Sequence, residues 1–146
     1  MRKNILFLIL LTFFSWEARG EKFTTLSGEI INTQNINSQS KAMLFFWTTW
    51  CPYCRLEIKA LNNLQKELLA KDFKIFFVNL GDDKRKVKAF KDKIGISSSI
   101  ILDKKGLLAS KYRILGVPTY IFLREGREIG RTNYITSFLI ERLYEE

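Results

Sequence analysis

Apolar and polar positions alternate along the chain in blocks that predict strands and helices in turn. Residues 42–48 are almost wholly apolar, which is typical of a strand buried on both faces of a sheet, and 74–80 predict a second such strand. Between them, leucines at helical spacing predict a helix over about 52–70. Pro52 stands where the first turn of a helix accepts proline.

Shorter patterns on both sides of this unit predict the other elements. Residues 23–31 predict two short strands around a Ser-Gly turn, and the polar, asparagine-rich stretch 32–41 is expected to be a loop. Towards the C-terminus the sequence predicts a charged helix that begins after a cap at Asp82 or Asp83 and ends at Gly95. It then predicts, in order, a strand at 99–102, a short helix at 107–113, strands at 119–123 and 127–131, and an amphipathic helix at about 135–145. This order predicts an α/β fold with a mixed central β-sheet flanked by helices.

The first twenty residues differ from the rest. Positive charge at Arg2 and Lys3 precedes an apolar run at 5–14, and small residues follow at Ala18 and Gly20. This pattern predicts a signal peptide over 1–20, cleaved on export. The alternative is an uncleaved anchor, although a spanning helix needs roughly 20 apolar residues. Export places the protein in a periplasmic or other extracytoplasmic compartment where disulfides form, and membrane association is expected only if the segment is uncleaved.

Composition and charge limit the number of domains and the classes of partner. The chain has 146 residues, of which 47% are apolar, so residues 21–146 are predicted to form a single domain. The formal net charge is +9; removal of residues 1–20 takes away three basic residues and one acidic residue and leaves +7. The densest basic run, 82–93, mixes signs as a solvated helix face does. We therefore expect no nucleic-acid partner, whereas acidic partners or anionic lipid headgroups fit this charge.

The two cysteines form the motif Cys51-Pro52-Tyr53-Cys54, at the junction between a buried strand and a helix. The N-terminus of a helix stabilises a thiolate, so the pKa of Cys51 is expected below the ordinary value of about 8.5. Cys51 is therefore the predicted nucleophile, which attacks a substrate disulfide. Cys54 is the predicted resolving thiol, and the cofactor is the redox-active disulfide itself.

Other uses of the pair are limited by the lack of histidine. A structural zinc site needs four cysteine or histidine ligands, and attachment of a c-type haem needs a histidine where the chain has Arg55. No metal site is predicted, but a Cu(I) site of two thiolates remains an alternative. A permanent structural disulfide also remains open, although so small a loop would stabilise the fold little.

Two features outside the motif also carry candidate chemistry. Glu57 follows Cys54 by three residues and Cys51 by six, so it shares their helix face; partly buried there, its carboxylate would have a raised pKa and could transfer a proton. Pro118 stands at the start of an apolar strand, where proline is tolerated. A cis Val117-Pro118 bond would expose the Val117 backbone to an extended substrate, but composition alone favours a trans turn proline.

The pattern W-x-x-W-C-x-x-C-R-x-E, joined to a distant Gly-Val-Pro-Thr, resembles a known family. The residues that match are Trp47, Trp50, Cys51, Cys54, Arg55, Glu57 and Gly116 to Thr119. The chain is similar to the exported TlpA/ResA/CcmG-like thiol–disulfide oxidoreductases, over nearly all of residues 21–146. The resemblance implies a thioredoxin-like fold with an N-terminal β-hairpin extension.

The resemblance also implies roles for individual residues. It implies that Pro118 is cis and packs beside the cysteine pair, and that Glu57 is an active-site acid. The neighbouring Trp50, Pro52, Tyr53 and Val117 are then candidate substrate-binding residues.

Two positions depart from the pattern. Thioredoxins carry a buried aspartate where this chain has Phe45, and the family usually carries a helix-kinking proline where it has Lys59. The first departure removes one proton acceptor, and the second puts the depth of Glu57 in doubt.

The predicted function is thiol–disulfide exchange with protein substrates. By resemblance the direction is reduction, with cytochrome c maturation as a candidate process and a DsbD/CcdA-like membrane thiol protein as the electron donor. One alternative is a DsbA-like oxidant that forms disulfides. An alternative of another class is a Cu(I)-binding metallochaperone module that uses the same two thiols.

Overall fold

The computed structural model describes residues 20–144, and the strands in that range form one mixed sheet. The strands are β1 (Lys22–Thr25), β2 (Ile30–Asn32), β3 (Lys41–Trp47), β4 (Phe73–Leu80), β5 (Ser99–Asp103), β6 (Thr119–Arg124) and β7 (Arg127–Thr132). The helices are α1 (Thr33–Asn37), α2 (Pro52–Ala70), α3 (Lys84–Ile94), α4 (Leu107–Lys111) and α5 (Ser137–Tyr144).

The sheet has the strand order β2-β1-β5-β4-β3-β6-β7, so β2 and β7 form its two edges. The central strands β3, β4 and β5 are parallel, and their carboxyl ends meet at one edge of the molecule. The remaining pairings are antiparallel. The mixed sheet flanked by helices and the N-terminal hairpin of β1 and β2 confirm the predicted fold.

The core lies on both faces of the sheet, with β3 at its centre. Every residue from Ala42 to Trp47 is buried, which explains the unbroken apolar run in the sequence. Successive side chains point to opposite faces. Phe45 and Trp47 pack with residues of α2, α3 and α5, whereas Leu44 and Phe46 pack with residues of α1 and α4. The strand that leads to Cys51 is therefore fixed from both sides.

The predicted loop over 32–41 is wrong for Thr33–Asn37, which form the short helix α1. Asn32 caps the helix: its side chain accepts the N–H of Asn35, whose side chain accepts the N–H of Asn32. Ile36 is fully buried beneath the sheet. A reciprocal cap and one apolar anchor suffice for a single turn, but five residues are too few to show helical periodicity.

Boundaries elsewhere shift by a few residues. Helix α4 ends at Lys111 rather than at 113, because Arg113 adopts a left-handed conformation with φ of 50°. The predicted signal peptide lies outside the described residues except for Gly20. Between residues 20 and 144, no helix is long and apolar enough to cross a membrane.

Candidate active site

The two cysteines lie where β3 passes into α2, at the carboxyl edge of the parallel strands. Strand β3 ends at Trp47, three residues form a loop, and Cys51 is the N-cap of α2. Pro52 occupies the first turn, as predicted, where the lack of an N–H costs nothing. Cys51 and Cys54 are joined by a disulfide with their Cα atoms 5.3 Å apart. The local sequence thus places a reactive pair at a helix N-terminus.

The backbone of α2 acts directly on the first sulfur. The N–H of Cys54 donates a hydrogen bond to Sγ of Cys51 at 3.1 Å. In the reduced protein, the same N–H would stabilise negative charge on that sulfur, together with the partial positive charge of the helix N-terminus. Cys51 is 3% exposed and Cys54 is completely buried. Of the two cysteines, only Cys51 has any surface in contact with solvent.

The Val117–Pro118 segment forms the other side of the site. The peptide bond between them is cis, and the carbonyl oxygen of Val117 lies 3.8 Å from Sγ of Cys51. The side-chain N–H of Asn133 donates to the carbonyl of Pro118 at 2.6 Å, and the hydroxyl of Thr119 donates to the carbonyl of Gly116 at 2.8 Å. The structure therefore brings together residues 66 positions apart in the sequence. Asn133 gave no signal in the sequence, because it lies in a turn without a recognisable motif.

The surface beside the disulfide is aromatic and open. Trp50 is 70% exposed and Tyr53 is 72% exposed, and Pro52 between them is also exposed. Large apolar side chains exposed to water next to a reactive pair are typical of contact surfaces for other chains. The predicted substrate-binding residues Trp50, Pro52 and Tyr53 are thus accessible. Pro118 is buried behind them.

Glu57 lies one turn beyond Cys54 and is half-buried. Its Oε2 accepts the N–H of Ile135 at 2.9 Å, and its backbone carbonyl accepts the hydroxyl of Tyr120 at 3.4 Å. Burial, and then the nearby Glu57 carboxylate, raise the pKa of Tyr120 well above its ordinary value. Among residues 20–144, Glu57 forms no hydrogen bond with Cys51 or Cys54, so its proton-transfer role stays a prediction.

The loop before Cys51 is held by a residue that the sequence assigned only to helix capping. Asp82 accepts the N–H of Thr49 at 2.7 Å and the side-chain N–H of Asn79 at 2.9 Å. Arg55 donates a hydrogen bond to the carbonyl of Thr49 at 3.1 Å, so both backbone polar groups of Thr49 have partners. Asp83, not Asp82, caps α3. The signal was available: Asn79 lies near the end of the buried strand β4 and Asp82 follows it, and the carboxyl end of β4 lies beside that of β3.

The search for a metal centre gives no candidate in the described part of the chain. Residues 20–144 hold no group of three or more histidine, cysteine, aspartate or glutamate side chains that could bind a metal ion.

The sequence profile of the AhpC/TSA family matches residues 16–137. The chain belongs to the AhpC/TSA family.

Individual AhpC/TSA relatives point to thiol–disulfide chemistry. The chain is 37% identical over 103 residues to the thioredoxin-like protein YneN of Bacillus subtilis, covering 69% of this chain and 59% of that one. It is 31% identical over 121 residues to the thiol-disulfide oxidoreductase ResA of Halalkalibacterium halodurans, covering 83% and 67%. The crystal structure of StoA from Bacillus subtilis superposes with a TM-score of 0.71 at 27% identity, covering 84% and 94%. The thioredoxin-like fold and the resemblance to ResA-like proteins are confirmed.

The chain spans 59% of the length of YneN and 67% of that of ResA.

Phe45, which stands where thioredoxins carry a buried aspartate, lies in an aromatic cluster. The ring of Phe45 is fully buried, 5.6 Å from the ring of Phe77 and 4.5 Å from that of Tyr120. A carboxylate in this aromatic cluster would be buried without a charged partner. The carboxylate of Glu57 acts on this cluster through Tyr120, whose pKa it helps to raise.

Proposed function

We propose that the protein is an extracytoplasmic thiol–disulfide oxidoreductase that acts on protein substrates through Cys51 and Cys54, in the direction of reduction. One observation carries the proposal: the Cys54 N–H donates to Sγ of Cys51 at the N-terminus of α2. This arrangement lowers the free energy of a Cys51 thiolate, which is the reactive species in disulfide exchange. Relatives named thiol-disulfide oxidoreductases support the same chemistry.

The reaction has two exchange steps. The Cys51 thiolate attacks one sulfur of a substrate disulfide; a mixed disulfide forms, and the other substrate sulfur leaves as a thiolate that takes up a proton. Cys54 then loses its proton and attacks Sγ of Cys51. The intramolecular disulfide forms, and the second substrate sulfur leaves as a thiol. The substrate gains two electrons and two protons, and the protein ends in the disulfide state.

Glu57 is the proposed acceptor for the Cys54 proton. Cys54 is buried among apolar side chains, so its deprotonation needs a base within reach or an ordered water. Glu57 is half-buried on the same helix, one turn away. Its hydrogen bond to the N–H of Ile135 fixes one carboxylate oxygen and leaves the other available.

The reduced state must be restored by a dithiol donor of lower potential. For an exported protein, we propose a DsbD/CcdA-like membrane thiol protein, with apocytochrome c as one candidate substrate. The proposed compartment follows from the signal-like residues 1–20. Expression of the full chain in a bacterial host tests it: we expect an extracytoplasmic protein whose mass lacks those residues, and a cytoplasmic, full-length product would contradict it.

The direction of the reaction is tested by the reduction potential. Equilibration with glutathione and dithiothreitol should give a value near that of thioredoxin, about −270 mV, with reduction of insulin disulfides by the reduced protein. A value near that of DsbA, about −120 mV, would instead identify an oxidant. If the protein reduces no disulfide and binds Cu(I) at micromolar concentration, the proposed chemistry is wrong and a copper-binding module replaces it.

A further inference from the structure

A basic groove separates α2 from α3 beside the redox pair. It has a volume of about 390 Å³ and is lined by Arg55, Lys59, Phe90, Lys93 and Ile94. Three of these five residues are cationic and two are apolar, so none of the described residues that line the groove carries a carboxylate. Among the ion pairs formed by residues 20–144, none involves Arg55, Lys59 or Lys93. We call this feature the α2–α3 groove.

The groove begins one helical turn from the reactive sulfur. Cys51, Arg55 and Lys59 are spaced by four residues and therefore lie along one side of α2. A rise of 1.5 Å per residue puts Arg55 about 6 Å and Lys59 about 12 Å from Cys51 along the helix axis. Arg55 also connects the loop before Cys51 with the groove: it donates to the Thr49 carbonyl, and its guanidinium lies 5.7 Å from the centre of the Phe90 ring.

The opposite wall extends the positive charge. Six of the eleven residues of α3 are basic and only Asp92 is acidic, and Lys93 borders the groove. Phe90 is packed at 5.0 Å against Trp47, so the apolar floor is rigid. A concave site with an apolar floor and cationic rims fits a chain segment that carries carboxylates and apolar side chains. A flat lipid surface would meet the outer lysines of α3 instead of this floor.

We propose that the α2–α3 groove binds an acidic segment of the protein whose disulfide reacts at Cys51. The proposal rests on the proposed function, and it names a class of substrate for the same site. An extended chain advances about 3.3 Å per residue, so carboxylates two and four residues from the substrate cysteine would reach Arg55 and Lys59. Substrates with acidic side chains at these positions are therefore preferred.

The test compares two disulfide-bonded peptides that differ only at those positions, with glutamate in one and glutamine in the other, placed on both sides of the cysteine. At low salt the reduced protein should reduce the glutamate peptide with a kcat/KM about tenfold higher than that for the glutamine peptide. The difference should shrink at 0.5 M NaCl, because the screening length there falls to between about 3 and 10 Å and exposed charge pairs weaken.

A matched pair of double variants locates the effect. Lys59→Glu with Lys93→Glu reverses charge inside the groove and should remove the preference for the glutamate peptide. Lys66→Glu with Lys88→Glu changes the net charge equally, on exposed positions of the same two helices outside the groove, and should keep most of the preference. Equal loss in both variants would assign the effect to overall charge and overturn the proposal.

A binding experiment separates this proposal from the proposed function. Titration of the oxidised, ¹⁵N-labelled protein with the glutamate peptide, its cysteines replaced by serine, should shift the amide resonances of Lys59, Phe90 and Lys93, and the glutamine peptide should not. These shifts without any peptide reduction would support the groove and refute the redox function. Reduction of both peptides at equal rates, without such shifts, would refute the groove alone. Shifts caused by phosphatidylglycerol vesicles but not by the glutamate peptide would identify a lipid site and overturn the proposal.

Discussion

At the scale of single residues, the site depends on an asymmetry between two chemically identical side chains. Cys51 caps a helix and accepts an N–H, whereas Cys54 is one turn inside the helix and completely buried. The sequence alone predicted this order, because the position of a cysteine relative to a helix start decides which thiolate is stabilised. The contact between Cys51 and the Val117 carbonyl depends on tertiary packing, and the spacing of the motif gives no information on it.

The two cysteines should therefore respond differently to substitution. Cys51→Ser should abolish disulfide reduction, because no thiolate remains that a substrate can reach. Cys54→Ser should still attack but fail to resolve, so the mixed disulfide with the substrate accumulates. Mass spectrometry under non-reducing conditions measures both results. Accumulation of mixed disulfides in Cys51→Ser rather than in Cys54→Ser would reverse the assigned roles.

Glu57→Gln tests proton transfer with little effect on the fold, since a glutamine oxygen can still accept the N–H of Ile135. We expect turnover to fall by about 10²-fold, the lower end of what a positioned acid or base contributes, and its dependence on pH to flatten. Stopped-flow kinetics between pH 5 and 9 measure the change. Glu67→Gln, an exposed position on the same helix, is the control, and a wild-type pH profile in Glu57→Gln would exclude the role.

At the scale of elements, the geometry of the loop before Cys51 is set from outside the motif. Asp82 accepts the N–H of Thr49, and Arg55 of α2 donates to the carbonyl of Thr49. The backbone of this one residue is therefore fixed by two different parts of the chain. The apolar run of β3 and the start of α2 were predictable because each has a local pattern. The loop between them was not, because Asp82, which accepts the Thr49 N–H, is 33 residues away in the sequence.

Two adjacent aspartates allow this loop to be tested separately from helix capping. Asp82→Ala should lower the free energy of unfolding by about 1–3 kcal/mol, because the Thr49 N–H and the Asn79 amide lose their partner, and it should also slow turnover. Asp83→Ala should cost about 0.5–2 kcal/mol through the lost cap of α3 and leave turnover unchanged. Urea unfolding and kcat, measured on both variants, distinguish the two. Equal turnover in both would argue against a role for the loop contact.

At the scale of the whole molecule, the sheet buries tyrosines whose hydroxyls have few routes to water. Burial raises the pKa values of Tyr112, Tyr120 and Tyr144. The hydroxyl of Tyr144 donates to the carbonyls of Ala42 and Leu123 at 3.0 Å each, which ties the C-terminal helix to β3 and β6. The strand order and these long-range contacts follow from the packing of elements, whereas the sequence predicted only the elements and their class.

The raised pKa values make stability depend on alkaline pH. An unfolded tyrosine loses its proton near pH 10, whereas these folded tyrosines hold theirs to higher pH. The unfolded state therefore binds fewer protons above pH 10, and stability falls as pH rises. In Tyr120→Phe this fall should be less steep by about 1.4 kcal/mol per pH unit. Urea unfolding at pH 9 to 11.5 measures the slope, with the exposed Tyr53→Phe as control. An unchanged slope in Tyr120→Phe would contradict the burial of that proton.

The two edges of the sheet bear on how the protein avoids being captured by other chains. Strand β2 has only three residues, and β7 carries Arg127, Glu128 and Arg131 along its six. Short and charged edge strands resist the addition of a foreign strand, which is the first step of edge-to-edge aggregation. Under the proposed function the protein would meet incompletely folded chains at one end of its sheet, and these edges would protect it from polymerising with them along its sides. Removal of these edge charges should show first as aggregation in the presence of unfolded substrate.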